Sequence, residues 1–348
     1  MLDYVRNAWY VAAWSHEVTE TRPLGVRIMG EPIVLWRTVD DIAALADSCV
    51  HRMAPLSLGE CQGGNIRCMY HGLLFDHTGQ CIAIPGQDMI PARAKVRRYP
   101  VIDRHSWIWV WMGNEAEADP STIPNVVGLD NPDWCLDGAT RDFSCEARII
   151  NENLLDFSHL SYVHARGFEA GLEFAAVLPN WEILPRGVRY TRWTESTLNP
   201  PGFARSDKPV DFYLHYDYLV PGVQLMWSGI YSEGTARQLA GGVPSMTDAQ
   251  SAVSWTNQAV TPVDKGKARY FFSLGPHRDY GGPTERDQLM AMTKCAFDED
   301  EVILLGQQSI LDATPDAVPM PTRHDKGITL YNNIIARLRK TDRTRARV

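Results

Sequence analysis

Cysteine is scarce in this 348-residue chain, with seven in all, and the N-terminus, MLDYVRNAWYVAAW, has no basic leader followed by an apolar run. The two absences together argue against an exported, disulfide-held protein and for a reducing cytoplasm. No segment reaches the ~18 uninterrupted apolar residues of a membrane-spanning helix. Positive charge is not in excess either: 34 Lys and Arg face 42 Asp and Glu, a net −8, which argues against a general nucleic-acid binder. One basic cluster runs against that balance, Arg337, Arg339, Lys340, Arg343, Arg345 and Arg347, and reads as a solvated helix end with its tail. Internal repeats and low-complexity tracts are absent. What is left is the composition of an ordinary globular chain, long enough for two domains.

The first third reads as short strands between turn signals: "AWYVAAW" (8–14), "PIVLWRT" (32–38) and "IAALADS" (42–48). "WIWVWM" (107–112) is apolar on both faces, as in a strand covered on both sides. Pro, Asp, Asn and Gly then crowd residues 113–134, which read as a linker. The boundary falls near residue 118 and divides the chain into 1–118 and 119–348. Beyond it, residues 147–165, 286–311 and 326–341 look helical. Strand-like runs such as "VRYTRWTEST", "DFYLHYDYLV" and "RYFFSLG" lie between them, so the second domain is expected to be α+β, one sheet against a helix.

Two constellations carry chemistry. The first is "CVHRMAPLSLGECQGGNIRCMYHG" (49–72), where Cys49-x-His51 and Cys68-x₂-His71 form two mixed pairs. Structural zinc sites space their ligands as a cysteine pair followed by a histidine pair. Mixed pairs suit instead a two-iron cluster in which cysteines hold one iron and histidines the other, the Rieske 2Fe-2S arrangement. Gly59, Gly63, Gly64 and Gly72 are expected to let backbone approach the sulfurs. Cys61, Cys81, Cys135, Cys145 and Cys295 lack ligand-like neighbours and read as buried small hydrophobes.

The second constellation is "NENLLDFSHLSYVH" (151–164), with Asp156, His159 and His164. On a straight helix Asp156 and His159 share a face, but His164 lies about 140° from His159. Both histidines reach one ion only if the segment breaks between them. A 2-His-1-carboxylate site for iron(II) also needs an acid. "FDEDEVILLGQQ" (297–308) offers Asp298, Glu299, Asp300 and Glu301, and spacing alone does not choose among them.

These motifs in this order, with "RNAWYVAAW", "YPVIDRHSWIWVWMG" and "FDEDEVILLGQQ" around them, resemble the Rieske non-heme iron oxygenases over nearly the whole chain, as their terminal oxygenase subunits. The likeness is strongest to the short members: vanillate and dicamba O-demethylases and toluenesulfonate methyl-monooxygenase. It implies an all-β Rieske domain followed by a helix-grip domain, an antiparallel sheet wrapped around a long helix. It implies that Cys49, His51, Cys68 and His71 bind the 2Fe-2S cluster and that His159, His164 and Asp300 bind one mononuclear iron, with Asn153 beside it. It further implies a head-to-tail homotrimer in which Asp156 bridges its own ligand histidine to the neighbour's His71.

Function follows from the same likeness. A separate NAD(P)H-dependent reductase or ferredoxin feeds electrons, and O2 hydroxylates a small aromatic substrate, an aromatic acid by relatedness, through O-demethylation or methyl hydroxylation. Ring dihydroxylation is the alternative, and a Rieske electron carrier a remote one. The chain departs from the family at Val50, where most relatives have proline, and at "SLGPHRDYGG" (273–282). For the pocket, Met226, Ser228 and Gln258 are candidates, with Trp227, Tyr231 and Trp255 also considered; strand alternation sets Met226 and Ser228 on one face and Trp227 on the other.

Overall fold

The computed structural model describes residues 4–164, 171–203 and 205–345. The chain forms two compact units: Met1–Gly128 with Thr261–Lys265, and Leu129–Val260 with Gly266–Val348.

The first unit is built of short antiparallel strands. Trp107–Trp111 lies between Trp9–Trp14 and Val101–Arg104, and all five of its residues are buried, as its two apolar faces require. A second sheet joins Leu24–Ile28, Glu31–Arg37 and Ile42–Ala46; a third joins Glu60–Gln62, Asn65–Arg67, Leu74–Phe75 and Cys81–Ala83. The stretch read as a linker is more ordered at its start than its composition suggested. Asn114 and Asp119 cap two short 3-10 turns, Glu115–Glu117 and Pro120–Thr122. The Trp9 indole donates to the Asp119 carbonyl at 2.9 Å, which ties this segment to the first unit.

The second unit carries a seven-stranded antiparallel sheet. Its spatial order is Asp137–Phe143, Lys267–Pro276, Ala252–Asp264, Val223–Ser232, Val210–Leu219, Gly187–Thr197 and Asn180–Leu184. The chain lays down one edge strand, crosses to the far edge, and meanders back until it pairs with that first strand. The crossing segment contains the helix Ala147–Leu155 and the second metal-ligand motif, so topology places that motif against the sheet. Hydrogen bonds hold it there: Tyr218 donates to Asn151 at 2.8 Å, and Gln224 to the Leu154 carbonyl at 3.2 Å.

The long helix Pro283–Ala313 packs on the same face through Phe297, whose ring lies 5.0 Å from Tyr270 and 4.9 Å from Phe272. The helix Lys326–Arg345 docks Tyr331 against Tyr218 at 5.0 Å. An antiparallel sheet with helices on one face is the expected α+β architecture. No helix among the described residues is long and apolar enough to cross a membrane. Of the basic C-terminal cluster, Arg347 and the side chains of Arg343 and Arg345 lie outside the described residues.

One helix is shorter than its sequence suggested. Residues 147–165 looked helical throughout, but the helix stops at Leu155 because Asp156 is extended (φ −126°, ψ 95°) and its carboxylate caps the 3-10 turn Phe157–Ser161. Residues 162–164 then leave that turn, which supplies the break that two ligand histidines at this spacing need.

Candidate metal centres

Two loops of the first unit present the cysteine–histidine pairs, and each is closed by the same backbone bracket. Cys49 N–H donates to the Ala54 carbonyl at 2.8 Å and Met53 N–H to the Cys49 carbonyl at 2.9 Å. Cys68 N–H donates to Leu73 at 2.8 Å and Gly72 N–H to Cys68 at 3.0 Å. The brackets turn both cysteines inward, to 1% exposure, and leave both histidines outside. The two thiols are within hydrogen-bonding reach; burial first, and then Cys68, raise the Cys49 pKa to about 11 against a backbone hydrogen bond at His51. The His51 and His71 rings are 4.4 Å apart. Buried thiolates need a cation to offset the loss of water, and two buried sulfurs beside two outward imidazoles match the donor set of a 2Fe-2S Rieske cluster.

Of the glycines expected to approach the sulfurs, two do something else. Gly63 and Gly64, at φ +57° and +78°, form the two-residue turn of the hairpin that pairs Gln62 with Asn65. Gly72, at φ +74°, is the one that closes a ligand loop: a Cβ there would lie 2.9 Å from the Pro85 ring.

In the second unit His159, His164 and Asp300 each offer one ligand atom, all within 4.8 Å of one another. Asp300 Oδ1 lies 3.7 Å from His159 Nε2 and 3.3 Å from His164 Nε2. The other ring nitrogens are engaged elsewhere. His159 Nδ1 meets the Asp156 backbone carbonyl at 2.5 Å, and His164 Nδ1 meets Glu299 Oε2 at 2.8 Å. Since both partners accept, each Nδ1 carries a proton, and each Nε2 is the nitrogen that faces the shared point. Burial foremost lowers the His159 pKa; at His164 burial also lowers it, but the hydrogen bonds and charges of Asp300 and Glu299 outweigh it and the net shift is upward. Two neutral-capable imidazoles and one carboxylate on one side, with a cavity on the other, fit a non-heme iron(II) site with open positions.

The four adjacent acids divide their work. Asp298 accepts from Arg141 at 2.6 Å and Glu301 pairs with the same guanidinium, Glu299 orients His164, and Asp300 faces both Nε2 atoms. Arg141 stands on the sheet strand Asp137–Phe143, so it fixes the rotation of the long helix that aims Asp300 inward. Asn153 donates to Asp300 Oδ1 at 3.1 Å.

Behind this triad is a cavity with about 800 Å³ of atom-free space, part of it open to solvent. Phe157, Phe203, Leu214, Leu289 and Met292 make most of its wall apolar. Met226, Ser228 and Gln258 line it, with Ser254 and Thr256 from the neighbouring strand. Trp227, Tyr231 and Trp255 do not: Trp227 and Tyr231 pack with Tyr213 on the other face, with Trp255 and Met246 against them. The period-two alternation of the strands separates the two sets.

Comparison with known proteins agrees with this geometry. Residues 8–100 match the Rieske [2Fe-2S] domain, and residues 143–341 match the vanillate O-demethylase oxygenase C-terminal domain. The second match spans more than half the chain. The chain is a Rieske non-heme iron oxygenase. It is 32% identical to a putative toluene-4-sulfonate monooxygenase iron-sulfur subunit of Comamonas testosteroni, over 97% of this chain and 98% of that protein. It is 34% identical to the oxygenase component of dicamba O-demethylase of Stenotrophomonas maltophilia, over 80% of each. The crystal structure of dicamba monooxygenase bound to dicamba superposes with a TM-score of 0.84 at 28% identity, covering 99% of this chain and all of that one.

As an oxygenase component the protein is an oxidoreductase that takes a Rieske 2Fe-2S cluster and a mononuclear iron. The structure differs from the sequence reading of this oxygenase at Asp156. The backbone carbonyl of that residue, rather than its carboxylate, holds His159, while the carboxylate accepts from Ser158 N–H at 2.9 Å. Reading the sequence also left Glu299 as one acid among four and missed Ser254, Thr256 and Thr293. A polar residue every second position in "SWTNQAV" was the available signal. Cys81, Cys135 and Cys145 are buried as expected, Cys61 is half-buried, and Cys295 is exposed on the outer side of the long helix.

Proposed function

We propose that this oxygenase hydroxylates a methyl or methoxy carbon of a small substituted aromatic, with electrons from a separate NAD(P)H-dependent reductase or ferredoxin. The observation that carries the reading is the convergence of His159 Nε2, His164 Nε2 and Asp300 Oδ1 at the wall of a mostly apolar cavity. Aromatic acids are the first candidates, since relatives are named for toluenesulfonate, dicamba and vanillate. Residues 1–118 would form the electron-entry domain and 119–348 the catalytic domain.

Cys49, Cys68, His51 and His71 would hold the cluster, and His159, His164 and Asp300 the iron, which supplies O2 activation when bound. The chain's own residues do the rest. Asp156 O and Glu299 keep the imidazoles in the ligating tautomer. The apolar wall excludes water and holds the ring, so the reacting carbon is presented rather than bound to the metal. For a methoxy group, one oxygen atom enters the C–H bond, two electrons and two protons reduce the other to water, and the hemiacetal collapses to a phenol and formaldehyde. The ring-flanked cluster histidines and the solvent-reachable Asp156 carboxylate suit a head-to-tail trimer, in which Asp156 of one subunit meets His71 of the next.

Turnover with a surrogate reductase, NADH and a panel of methoxy-, methyl- and phenoxy-substituted aromatic acids tests the reading. Hydroxylated or demethylated product, with matching formaldehyde from methoxy substrates, is expected. Reductase-dependent NADH oxidation without any oxygenated product from an iron-replete enzyme would overturn it.

A further inference from the structure

The polar groups of the cavity are arranged for a particular partner. Gln258 lies on the cavity wall and is 6% exposed. Its Oε1 is buried and accepts no hydrogen bond from the described residues. Directly opposite on the adjoining strand is Gln224, which is 0% exposed and whose Oε1 is also buried without a donor. Cross-strand partners have Cβ atoms about 5 Å apart on one face of a sheet, so the two amides are neighbours on one face.

Gln224 Nε2 is committed to the Leu154 carbonyl at 3.2 Å. Turning the Gln258 amide by half a turn would hand its N–H2 to Gln224 and set its own carbonyl oxygen against the cavity. As placed, both carbonyl oxygens lack a donor among the described residues; after the turn Gln258 Oε1 alone does, and a buried acceptor without a donor is costly. No described hydroxyl, those of Thr256 and Thr293 included, donates to either oxygen. Ser228 and Ser254 already bond each other at 2.9 Å. Among the described lining residues the only carboxylate is Asp300, which faces the histidines. Among the described residues no donor serves these oxygens, and a ligand in the cavity can supply one.

We propose that Gln258, backed by Gln224, selects ring substrates that carry a neutral hydrogen-bond donor, a phenolic O–H or an aromatic N–H2, separate from any acid group and from the carbon to be oxidised. The inference rests on the oxygenase reading above and narrows its substrate class. A site built to receive a donor rejects the analogue that lacks it more strongly than an apolar pocket rejects a missing methylene, because the acceptor is then left dry.

The test uses iron- and cluster-loaded enzyme and two matched pairs: 3-methoxyphenol against 1,3-dimethoxybenzene, and 3-methoxyaniline against 3-methoxytoluene. Dissociation constants are measured by calorimetry under argon. In wild type the donor-bearing member of each pair is expected to bind about tenfold or more tightly. In Gln258→Leu and in Gln258→Met, checked for intact cluster absorbance, each ratio should fall to about one. A ratio near one in wild type, or one that persists in both variants, overturns the proposal. Formaldehyde release from the same ligands with NADH and a surrogate reductase is scored separately: its absence with the binding ratio intact would sink the oxygenation reading, while its presence with a flat ratio sinks only the role of Gln258.

Discussion

The two metal-binding regions are made in opposite ways. The cluster region draws its four candidate ligands from residues 49–71, and each pair sits in one short loop bracketed by its own backbone hydrogen bonds. The iron region draws its candidate ligands His159 and His164 from a broken helix and Asp300 from a helix some 140 residues later, and it needs a seven-stranded sheet to bring them together. Local turns encode the first set, so its spacing in the chain nearly is its geometry. In the second set the spacing is only a condition, and packing decides whether the condition is met.

The sharpest way to break this comparison is to delete one ligand from each region. Asp300→Ala should lose the mononuclear iron and lower product formation on the order of a thousandfold or more, with the visible cluster spectrum unchanged. Cys68→Ser should do the reverse, losing the visible absorbance while iron still binds near the histidines. If Glu299→Ala rather than Asp300→Ala empties the iron site, the assignment among the acids is wrong.

The next largest effect tests whether the regions communicate. Asp156→Asn keeps an acceptor for Ser158 N–H and leaves the backbone carbonyl on His159, so both metals should remain bound. Turnover should nevertheless fall about a hundredfold or more. Wild-type turnover with full metal content would remove the bridging role of that carboxylate.

Smaller effects probe the support of the iron region, which has no counterpart in the loops of the cluster. Glu299→Gln still offers His164 Nδ1 an acceptor but no charge, and iron affinity should fall about tenfold in a ferrous titration, within the usual range for groups behind a ligand histidine. Arg141→Met frees Asp298 and Glu301 together. With Arg141 largely covered but Asp298 exposed, stability should drop by roughly 1 kcal/mol, read as a lower Tm, and iron affinity should fall by less than in Glu299→Gln.

Much of this was legible before any coordinates. The strands around Trp9, Trp36 and Trp109, the helices read at 286–311 and 326–341, and the mixed Cys/His pairs all follow from local pattern. Where that reading went astray, a neighbour distant in sequence had intervened. Gly63 and Gly64 looked like close-approach glycines beside sulfur but serve a hairpin turn. Trp227, Tyr231 and Trp255 are as aromatic as any pocket residue, yet they face away because the register of Val223–Ser232 against Ala252–Asp264 sets Met226, Ser228, Thr256 and Gln258 toward the helices.

The chain order alone determined which side chains can hold metal, since C-x-H with C-x₂-H, and D-x₂-H-x₄-H, specify donor type and short-range separation. It could not determine which of Asp298, Glu299, Asp300 and Glu301 faces the histidines. Four consecutive helical positions at about 100° each point nearly all the way round the axis, so a sequence run is indifferent to the choice. The tertiary structure decides it: Arg141 on the sheet holds two of the acids outward, His164 takes a third, and Asp300 is left as the one carboxylate facing both Nε2 atoms.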